Sequence, residues 1–249
     1  MVVIDFWKDV EGYEKYTYSS RWGKKRIAEM EANYKEIEPF LSGNKRMIKG
    51  RILDIGCGGG LLSLWLESKG YSIVGIDNNK KMIKIALGEK KKLKFKSEFK
   101  NADAGTVKLD KMFDSFTMFG NTLANISLIS FVKIMRNLNK NLRKKGNVLI
   151  SYNDSLKSVL RDQYSISTSD NFLNINGNYS HLDNSIELIR VSFKGKGMVK
   201  FKMYVWSSQI LQALMLSLGF KLVKSMEIKA EMVTNLDVYQ KMRDGEHLS

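Results

Sequence analysis

A cluster of glycines at residues 56–60 has the composition of a loop that binds an anionic or nucleotide ligand. It follows the apolar residues 52–55 and has glycine at four of its five positions. Because glycine has no Cβ, the chain can turn sharply there and a ligand can approach the backbone. Free amide groups at the start of the next helix favour a negatively charged or carboxylate group. Asp77 ends a second apolar run, where a carboxylate can accept two hydrogen bonds from a ribose diol.

The spacing of these glycines differs from the fingerprint of nicotinamide-dependent dehydrogenases. That fingerprint has glycine at its first, third and sixth positions. Counted from Gly56, the sixth position is Leu61, and counted from Gly58 it is Ser63. A dehydrogenase is therefore a distant alternative, which binding of NAD would identify.

The residues at alternate positions of this segment form a second, more specific string: Asp54, Gly56, Gly58 and Gly60. Together with Asp77, the string resembles the first two motifs of the class I S-adenosylmethionine-dependent methyltransferases. The similarity continues at residues 101–104, after the predicted third strand, and at residues 119–123, after the fourth. It covers residues 52–152, whereas the rest of the chain matches only in layout. The resemblance implies a Rossmann-like fold, S-adenosylmethionine as cofactor and methyl transfer as the reaction.

The resemblance also implies a set of residues that meet the cofactor. The implied set is Asp54, Gly56, Cys57, Gly58, Gly60, Asp77, Asn78, Ala102, Asp103, Phe119, Gly120 and Arg21. Within it, Gly56 and Gly58 lie near the amino-acid part of the cofactor and Asp77 on the ribose. Asn78, Ala102 and Asp103 surround the adenine, Phe119 and Gly120 lie near the sulfur, and Arg21 pairs with the cofactor carboxylate. Three members have structural alternatives: Asp54 as a brace of the loop, Cys57 as a small filler and Asp103 as an ordinary loop acid.

Two residues are candidates for catalysis, Asn121 and His181. The cofactor's sulfonium is already a good leaving group, so catalysis can rest mainly on in-line positioning of the acceptor and exclusion of water. Residues 120–123 read Gly-Asn-Thr-Leu and resemble the Gly-Asn-Ser-Leu string of small-molecule N-methyltransferases of the glycine-methylating type. His181 could act as a base, or it could be an exposed hairpin histidine.

Residues that the chain lacks narrow the choice of acceptor. Carbon methylation of pyrimidines generally uses a cysteine nucleophile, and the single cysteine, Cys57, belongs to the glycine loop. The Asn-Pro-Pro-Tyr type of motif is excluded because Pro39 is the one proline. A single cysteine also excludes a multi-cysteine zinc site, so no metal is predicted. The first hypothesis is a small-molecule acceptor that is methylated at nitrogen or oxygen.

The charge of the chain keeps two alternatives open. The net charge is +15, and much of the excess lies in one predicted helix and its exit, at Lys80, Lys81, Lys84, Lys90, Lys91, Lys92, Lys94, Lys96 and Lys100. Such a run is typical of a solvated helix face, but it also fits contact with RNA phosphates, so tRNA or rRNA is the second candidate acceptor. A non-catalytic module that binds S-adenosylmethionine and acts through a partner is the third hypothesis.

Alternating strand and helix patterns predict the fold class as α/β. We expect a doubly wound, mostly parallel seven-stranded sheet with an antiparallel terminal strand, an N-terminal helical segment and an antiparallel β insert after the fifth strand. The pattern predicts a helix at residues 127–142 that ends at Gly146, and a fifth strand at residues 147–152. Strand-like runs at residues 179–182, 186–193 and 199–206 predict the insert, with a turn at Asp183-Asn184.

The chain is predicted to form one domain over residues 1–249. Its parts are a helical cap (1–49), a cofactor-binding core (50–152), a β insert or acceptor lid (153–206) and a C-terminal helix and strand pair (207–249). No apolar stretch is long enough to span a bilayer, and no signal peptide is apparent, so a cytoplasmic location is expected. Nothing in the sequence indicates an oligomeric state.

Overall fold

Two β-sheets organise the described part of the chain, a seven-stranded sheet and a four-stranded sheet inserted after its fifth strand. The computed structural model describes residues 34–35, 38–41, 47–120, 122–154, 166–169, 172–192, 198–230 and 233–243. Most of the predicted N-terminal helical segment lies outside these residues, and its described part includes the short helix α1, Glu38–Leu41. Among the described helices, none combines the length and the apolar character needed to cross a membrane.

The large sheet has the predicted doubly wound topology. In chain order, the strands of both sheets are β1 (Arg51–Ile55), β2 (Ser72–Asp77), β3 (Glu98–Asn101), β4 (Phe113–Met118), β5 (Leu142–Tyr152), β6 (Ile166–Ser169), β7 (Phe172–Ser180), β8 (Ser185–Ser192), β9 (Met198–Tyr204), β10 (Phe220–Ala230) and β11 (Val233–Lys241). The large sheet has the order β10-β11-β5-β4-β1-β2-β3. Within the large sheet, β11 pairs antiparallel with both of its neighbours, β10 and β5, and the other described pairs are parallel, which confirms the predicted antiparallel terminal strand.

Helices cover both faces of this sheet. They are α2 (Leu61–Ser68), α3 (Lys80–Leu93), α4 (Leu128–Asn139) and α5 (Ser208–Ser217), with a 3₁₀ turn at Leu123–Asn125. Successive side chains of a strand point to opposite faces, so Ile52 of β1 packs in one apolar cluster with Trp65 of α2. Its neighbour Leu53 packs in another with Phe131 of α4. Burial on both faces explains why the adjacent residues Ile52 and Leu53 of β1 are both apolar.

The boundary between α4 and β5 differs from the prediction. The helix ends at Asn139 rather than Leu142, and Gly146 lies inside β5 instead of terminating the helix. The Lys241 ammonium donates to the carbonyls of Asn139 and Leu142 at 2.7 and 3.0 Å. The carbonyl of the last helical residue, Asn139, is therefore satisfied by a side chain of β11, and the basic residues 143–145 belong to the strand.

The insert is an antiparallel sheet in the order β6-β7-β8-β9, which confirms the predicted insert after the fifth strand. It contains four strands, although the sequence pattern indicated only three runs. The β7–β8 connection contains the predicted Asp183-Asn184 turn, and Asn184 adopts a left-handed φ of 56° there. Asparagine tolerates this conformation better than most residues.

Candidate active site

The predicted site residues follow four neighbouring strands at one edge of the large sheet. In the sheet order, β4, β1, β2 and β3 stand side by side, and they run in parallel. Their carboxyl ends therefore meet at the same edge. The chain order reverses between β4 and β1, and in doubly wound folds ligands bind at this switch point.

The glycine loop after β1 requires glycine for steric reasons. Gly56, Gly58 and Gly60 have φ values of 69°, 52° and 82°, which side chains rarely adopt. A Cβ on Gly60 would lie 2.9 Å from the ring of Phe99 and 3.0 Å from the Cβ of Ala86. The loop is also held by the Gly56 amide, which donates to the carbonyl of Ile76 at 2.8 Å.

Asp77, at the end of β2, lies directly against the glycine loop. Its Oδ2 accepts a hydrogen bond from the Gly58 amide at 2.9 Å, and its Oδ1 accepts one from the Asn79 amide at 2.8 Å. Burial raises the pKa of Asp77, and the amides of Asn79 and Gly58 oppose the rise. The carboxylate is still partly exposed, and each oxygen has a further lone pair for a ligand hydroxyl.

Asp54 and Cys57 both direct their side chains into the protein. Asp54 is buried, and its two oxygens accept from the hydroxyls of Ser63 at 2.6 Å and Thr117 at 2.9 Å. Burial raises the pKa of Asp54 to about 6, against the hydrogen bonds from Ser63 and Thr117. Cys57 packs in an apolar cluster that includes Phe99, and burial raises the pKa of its thiol. Asp54 therefore braces β1, α2 and β4, and the Cys57 side chain fills space.

The residues predicted to surround the adenine lie beside Asp77. The Ala102 amide donates to the Asp77 carbonyl at 3.0 Å, which places Ala102 against the end of β2. Asn78 and Asp103 are exposed. The Asp103 carboxylate accepts from the Gly105 amide at 2.7 Å and so closes its own turn.

The segment after β4 brings Phe119 and Gly120 to the same edge. The Gly120 amide donates to the hydroxyl of Ser151 on β5 at 3.0 Å. Gly120 has a φ of 69°, and within the described part of the chain no atom beyond Gly120 and its two neighbours lies within 4 Å of the place where a Cβ would stand. Phe119 is buried, and its ring meets that of Tyr34 edge-on at 6.3 Å between centroids. Open space therefore adjoins the backbone at Gly120.

The insert reaches this edge through the segment that follows β9. The indole of Trp206 donates to the Ile126 carbonyl, just after the 3₁₀ turn, at 3.1 Å, and its ring packs edge-on against Phe131. The Asn184 amide side chain donates to the Val205 carbonyl at 2.6 Å, so the β7–β8 turn is tied to the same segment. His181 lies in that turn and is exposed.

A buried polar network anchors the strand from which the insert departs. Asp237 is fully buried, and its Oδ2 accepts from the hydroxyls of Tyr152 at 3.0 Å and Tyr239 at 2.8 Å. Its Oδ1 accepts from Ser225 at 2.6 Å. Burial raises the pKa of both tyrosines and the Asp237 charge adds to the rise, so both remain hydrogen-bond donors at neutral pH. Tyr152 is the last residue of β5, and the network therefore holds the base of the insert.

Some predicted residues fall outside the described chain, and some observed ones were not predicted. Arg21 and Asn121 lie outside the described residues. The predictions missed Thr122, Ser151 and Trp206 as site residues, although Thr122 belongs to the Gly-Asn-Thr-Leu string. Among the described residues, no group of three His, Cys, Asp or Glu side chains is placed to hold a metal ion.

Comparison with known proteins is consistent with this geometry. A ubiquinone biosynthesis O-methyltransferase of Pelagibacter ubique is 32% identical over 163 residues, which cover 64% of this chain and 64% of that protein. A glycine N-methyltransferase of Mus musculus is 33% identical over 85 residues, which cover 30% of this chain and 29% of that protein. Each match therefore spans less than two thirds of the relative's length.

A solved structure shares the fold at low sequence identity. An S-adenosylmethionine-dependent methyltransferase from Clostridium acetobutylicum aligns with a TM-score of 0.66 and 13% identity, covering 93% of this chain and 96% of that chain. A family model described as a methyltransferase domain matches residues 49–238, from just before β1 into β11. Because this match includes most of the chain, and because it confirms the class I resemblance of the motifs, the protein belongs to the methyltransferase domain family.

Proposed function

We propose that this protein transfers a methyl group from S-adenosylmethionine to nitrogen or oxygen of a small-molecule acceptor. The observation that carries the proposal is the contact between the Asp77 carboxylate and the Gly58 amide, at 2.9 Å. It puts a carboxylate suited to a ribose diol beside a loop that leaves its backbone accessible.

The described residues fit the proposed donor. Gly56, Gly58 and Gly60 form a cradle with no Cβ, and the open space at Gly120 adjoins the carboxyl end of β4. In this proposal, the loop meets the amino-acid part of the donor and Asp77 binds its ribose. Asn78, Ala102 and Asp103 enclose the adenine, Phe119 and Gly120 lie beside the sulfur, and Arg21 pairs with the carboxylate. When bound, the sulfonium would supply an activated methyl group.

The contribution of the chain itself would be positioning and exclusion of water. The acceptor must approach in line with the methyl group, and well-oriented reactants lower the barrier substantially without a strong base. We place the acceptor between the β4 exit and the insert, because Trp206 ties the insert to Ile126 there. Asn121 and His181 remain the candidate catalytic contacts.

The relatives support an acceptor of modest size. By their names, one relative acts in ubiquinone biosynthesis as an O-methyltransferase and another methylates glycine at nitrogen. The family match runs through the insert, which supports a single domain with the insert as acceptor lid. We also propose a cytoplasmic location, because the single Cys57 cannot form an internal disulfide.

Transfer of label from methyl-labelled S-adenosylmethionine tests the proposed function. Fractionated metabolites and RNA from the source cell serve as acceptors, and we expect label in a metabolite fraction. Label in no fraction, with donor binding intact, would favour a non-catalytic binding module.

RNA is the second candidate acceptor, because lysines line the outer face of α3. Lys80, Lys84 and Lys91 are all exposed at helical spacing. If RNA binds through such contacts, affinity falls by about a thousandfold between about 50 and 200 mM salt. Absence of RNA binding at low salt would remove this candidate.

A further inference from the structure

Thr122 links the segment after β4 to the glycine loop after β1. Its hydroxyl lies 2.8 Å from the Phe119 carbonyl oxygen and 3.3 Å from the Gly56 carbonyl oxygen. Its methyl group touches the same loop, because a Cβ added to Gly56 would lie only 2.4 Å from Thr122 Cγ2. The Thr122 hydroxyl therefore contacts both the segment after β4 and the glycine loop after β1, and its methyl group packs against the glycine loop.

This contact belongs to a line of hydrogen bonds across four adjacent strand ends. The Ser151 hydroxyl on β5 accepts from the Gly120 amide after β4 at 3.0 Å. Thr122 then joins the β4 exit to the glycine loop, and the Gly58 amide joins that loop to Asp77 of β2 at 2.9 Å. The Thr122 link thus lies between the side proposed for the acceptor and the side proposed for the donor.

We propose that Thr122 is a positioning residue that sets the distance between the donor methyl group and the acceptor. This inference rests on the proposed function. The hydroxyl lies within hydrogen-bond distance of both carbonyl oxygens, and the shorter and stronger hydrogen bond is to Phe119. The hydroxyl thereby holds the Phe119 carbonyl and the Gly56 carbonyl at a fixed separation, and the methyl group packs against the glycine loop.

The chemistry makes this separation matter. Methyl transfer needs the acceptor atom in line with the methyl group, and a misplacement of about 1 Å can cost about 100-fold in rate. Donor binding depends mainly on the glycine loop and Asp77, which keep their own hydrogen bonds when the Thr122 hydroxyl is removed. Loss of the hydroxyl should therefore slow transfer more than it weakens donor binding.

Variants at Thr122 distinguish the effect of its hydroxyl from the effect of its branched shape. Thr122→Val keeps the branched side chain and removes the hydroxyl, whereas Thr122→Ser keeps the hydroxyl and removes the methyl group. Ser217→Ala is the matched control, because it removes another hydroxyl that donates to a backbone carbonyl, on α5, at 2.8 Å. If Thr122→Val does not fold, Thr122→Ala compared with Thr122→Ser isolates the same hydroxyl.

Three measurements read the effect: donor affinity by calorimetry, kcat with the acceptor found by label transfer, and the carbon-13 NMR shift of bound S-adenosylmethionine labelled in its methyl group. We expect Thr122→Val to lower kcat by about 10- to 100-fold. Its donor affinity should change less than about threefold, and the bound methyl resonance should move. Thr122→Ser and Ser217→Ala should resemble the wild type in all three.

Two results would overturn the positioning role. One is a Thr122→Val protein with wild-type kcat and an unmoved methyl resonance. The other is an equal loss of kcat in Thr122→Val and Thr122→Ser, which would indicate packing instead. If the wild-type protein binds no S-adenosylmethionine, the proposed function fails first, so the two failures are distinguishable.

Discussion

The proposed donor half of the site is centred on residues 54–77, one continuous strand–helix–strand unit, whereas the proposed acceptor half joins segments far apart in the chain. In the donor half, Gly58 meets Asp77 within this unit. In the acceptor half, Gly120 meets Ser151 of another strand, and Ile126 meets Trp206 across a sequence separation of 80 residues. A local unit can be recognised from residue spacing alone. A site assembled from distant segments depends on strand order and on where the insert packs.

The two halves also differ in what makes their contacts. The glycine loop presents backbone groups in left-handed conformations, which residues with a side chain rarely adopt, so the loop requires glycine. The acceptor half depends on particular side chains, such as Trp206. We therefore expect substitutions in the donor half to act on cofactor affinity and those in the acceptor half to act on turnover or acceptor affinity.

The largest expected effect is that of Gly56→Ala. The new Cβ would lie 2.4 Å from Thr122 Cγ2, at a φ of 69°. Strain and the forced backbone shift should lower donor affinity by about 100-fold. Gly70→Ala is the control, because Gly70 has a φ of 91° with open space around it. It should cost about 1–2 kcal/mol of stability without changing donor affinity. Equal donor affinity in both variants, measured by calorimetry, would contradict the steric requirement.

Asp54→Asn should change how stability depends on pH. The pKa of Asp54 is about 6 in the folded chain against an ordinary value of 3.8, so between these values the folded chain holds a proton that the unfolded chain has lost. The free energy of unfolding should therefore fall as pH rises through this window, by at most about 3 kcal/mol, and level off above it. Denaturant titrations across this range should show a flatter profile for Asp54→Asn. Identical profiles would mean that the pKa of Asp54 does not differ between the folded and the unfolded chain.

Trp206→Phe should affect the acceptor half alone. The phenyl ring keeps an edge-on contact with Phe131 but cannot donate to the Ile126 carbonyl. We expect a loss of about 1 kcal/mol in stability and about a fivefold rise in the KM for the acceptor, since one hydrogen bond of this kind is removed. Steady-state kinetics with each substrate varied in turn measure this. A weaker donor affinity with unchanged acceptor KM would contradict the assignment of Trp206 to the acceptor half.

His181→Gln should have the smallest effect. The side chain is exposed in the β7–β8 turn, and we expect kcat to change by less than about twofold because solvent surrounds the imidazole. The pH profile of kcat is the sensitive measurement. If the substitution flattens that profile, His181 acts as the base.

The sequence predicted the fold class and the glycine-loop motif because the alternation of strands and helices and the motif spacing are short-range patterns. The string of Asp54, Gly56, Gly58 and Gly60, the residue Asp77 and the apolar strands can each be recognised within one short segment of the sequence. The end of α4 was not predictable in the same way, since Lys241 satisfies its last carbonyl, that of Asn139, from 102 residues away. Ser151 and Trp206 were missed for the same reason, because their partners are chosen by the packing of distant elements.

Calorimetric titration of S-adenosylmethionine into the wild-type, Asp77→Ala and Asp110→Ala proteins tests the central claim most directly. Asp110 is the matched control, an exposed carboxylate on the loop before β4. We predict one donor bound per wild-type chain, a loss of about 100-fold in affinity for Asp77→Ala through two missing charge-assisted hydrogen bonds, and no change for Asp110→Ala. Absence of binding by the wild-type protein, or equal affinity in all three, would contradict the assignment of this edge of the sheet as the donor site.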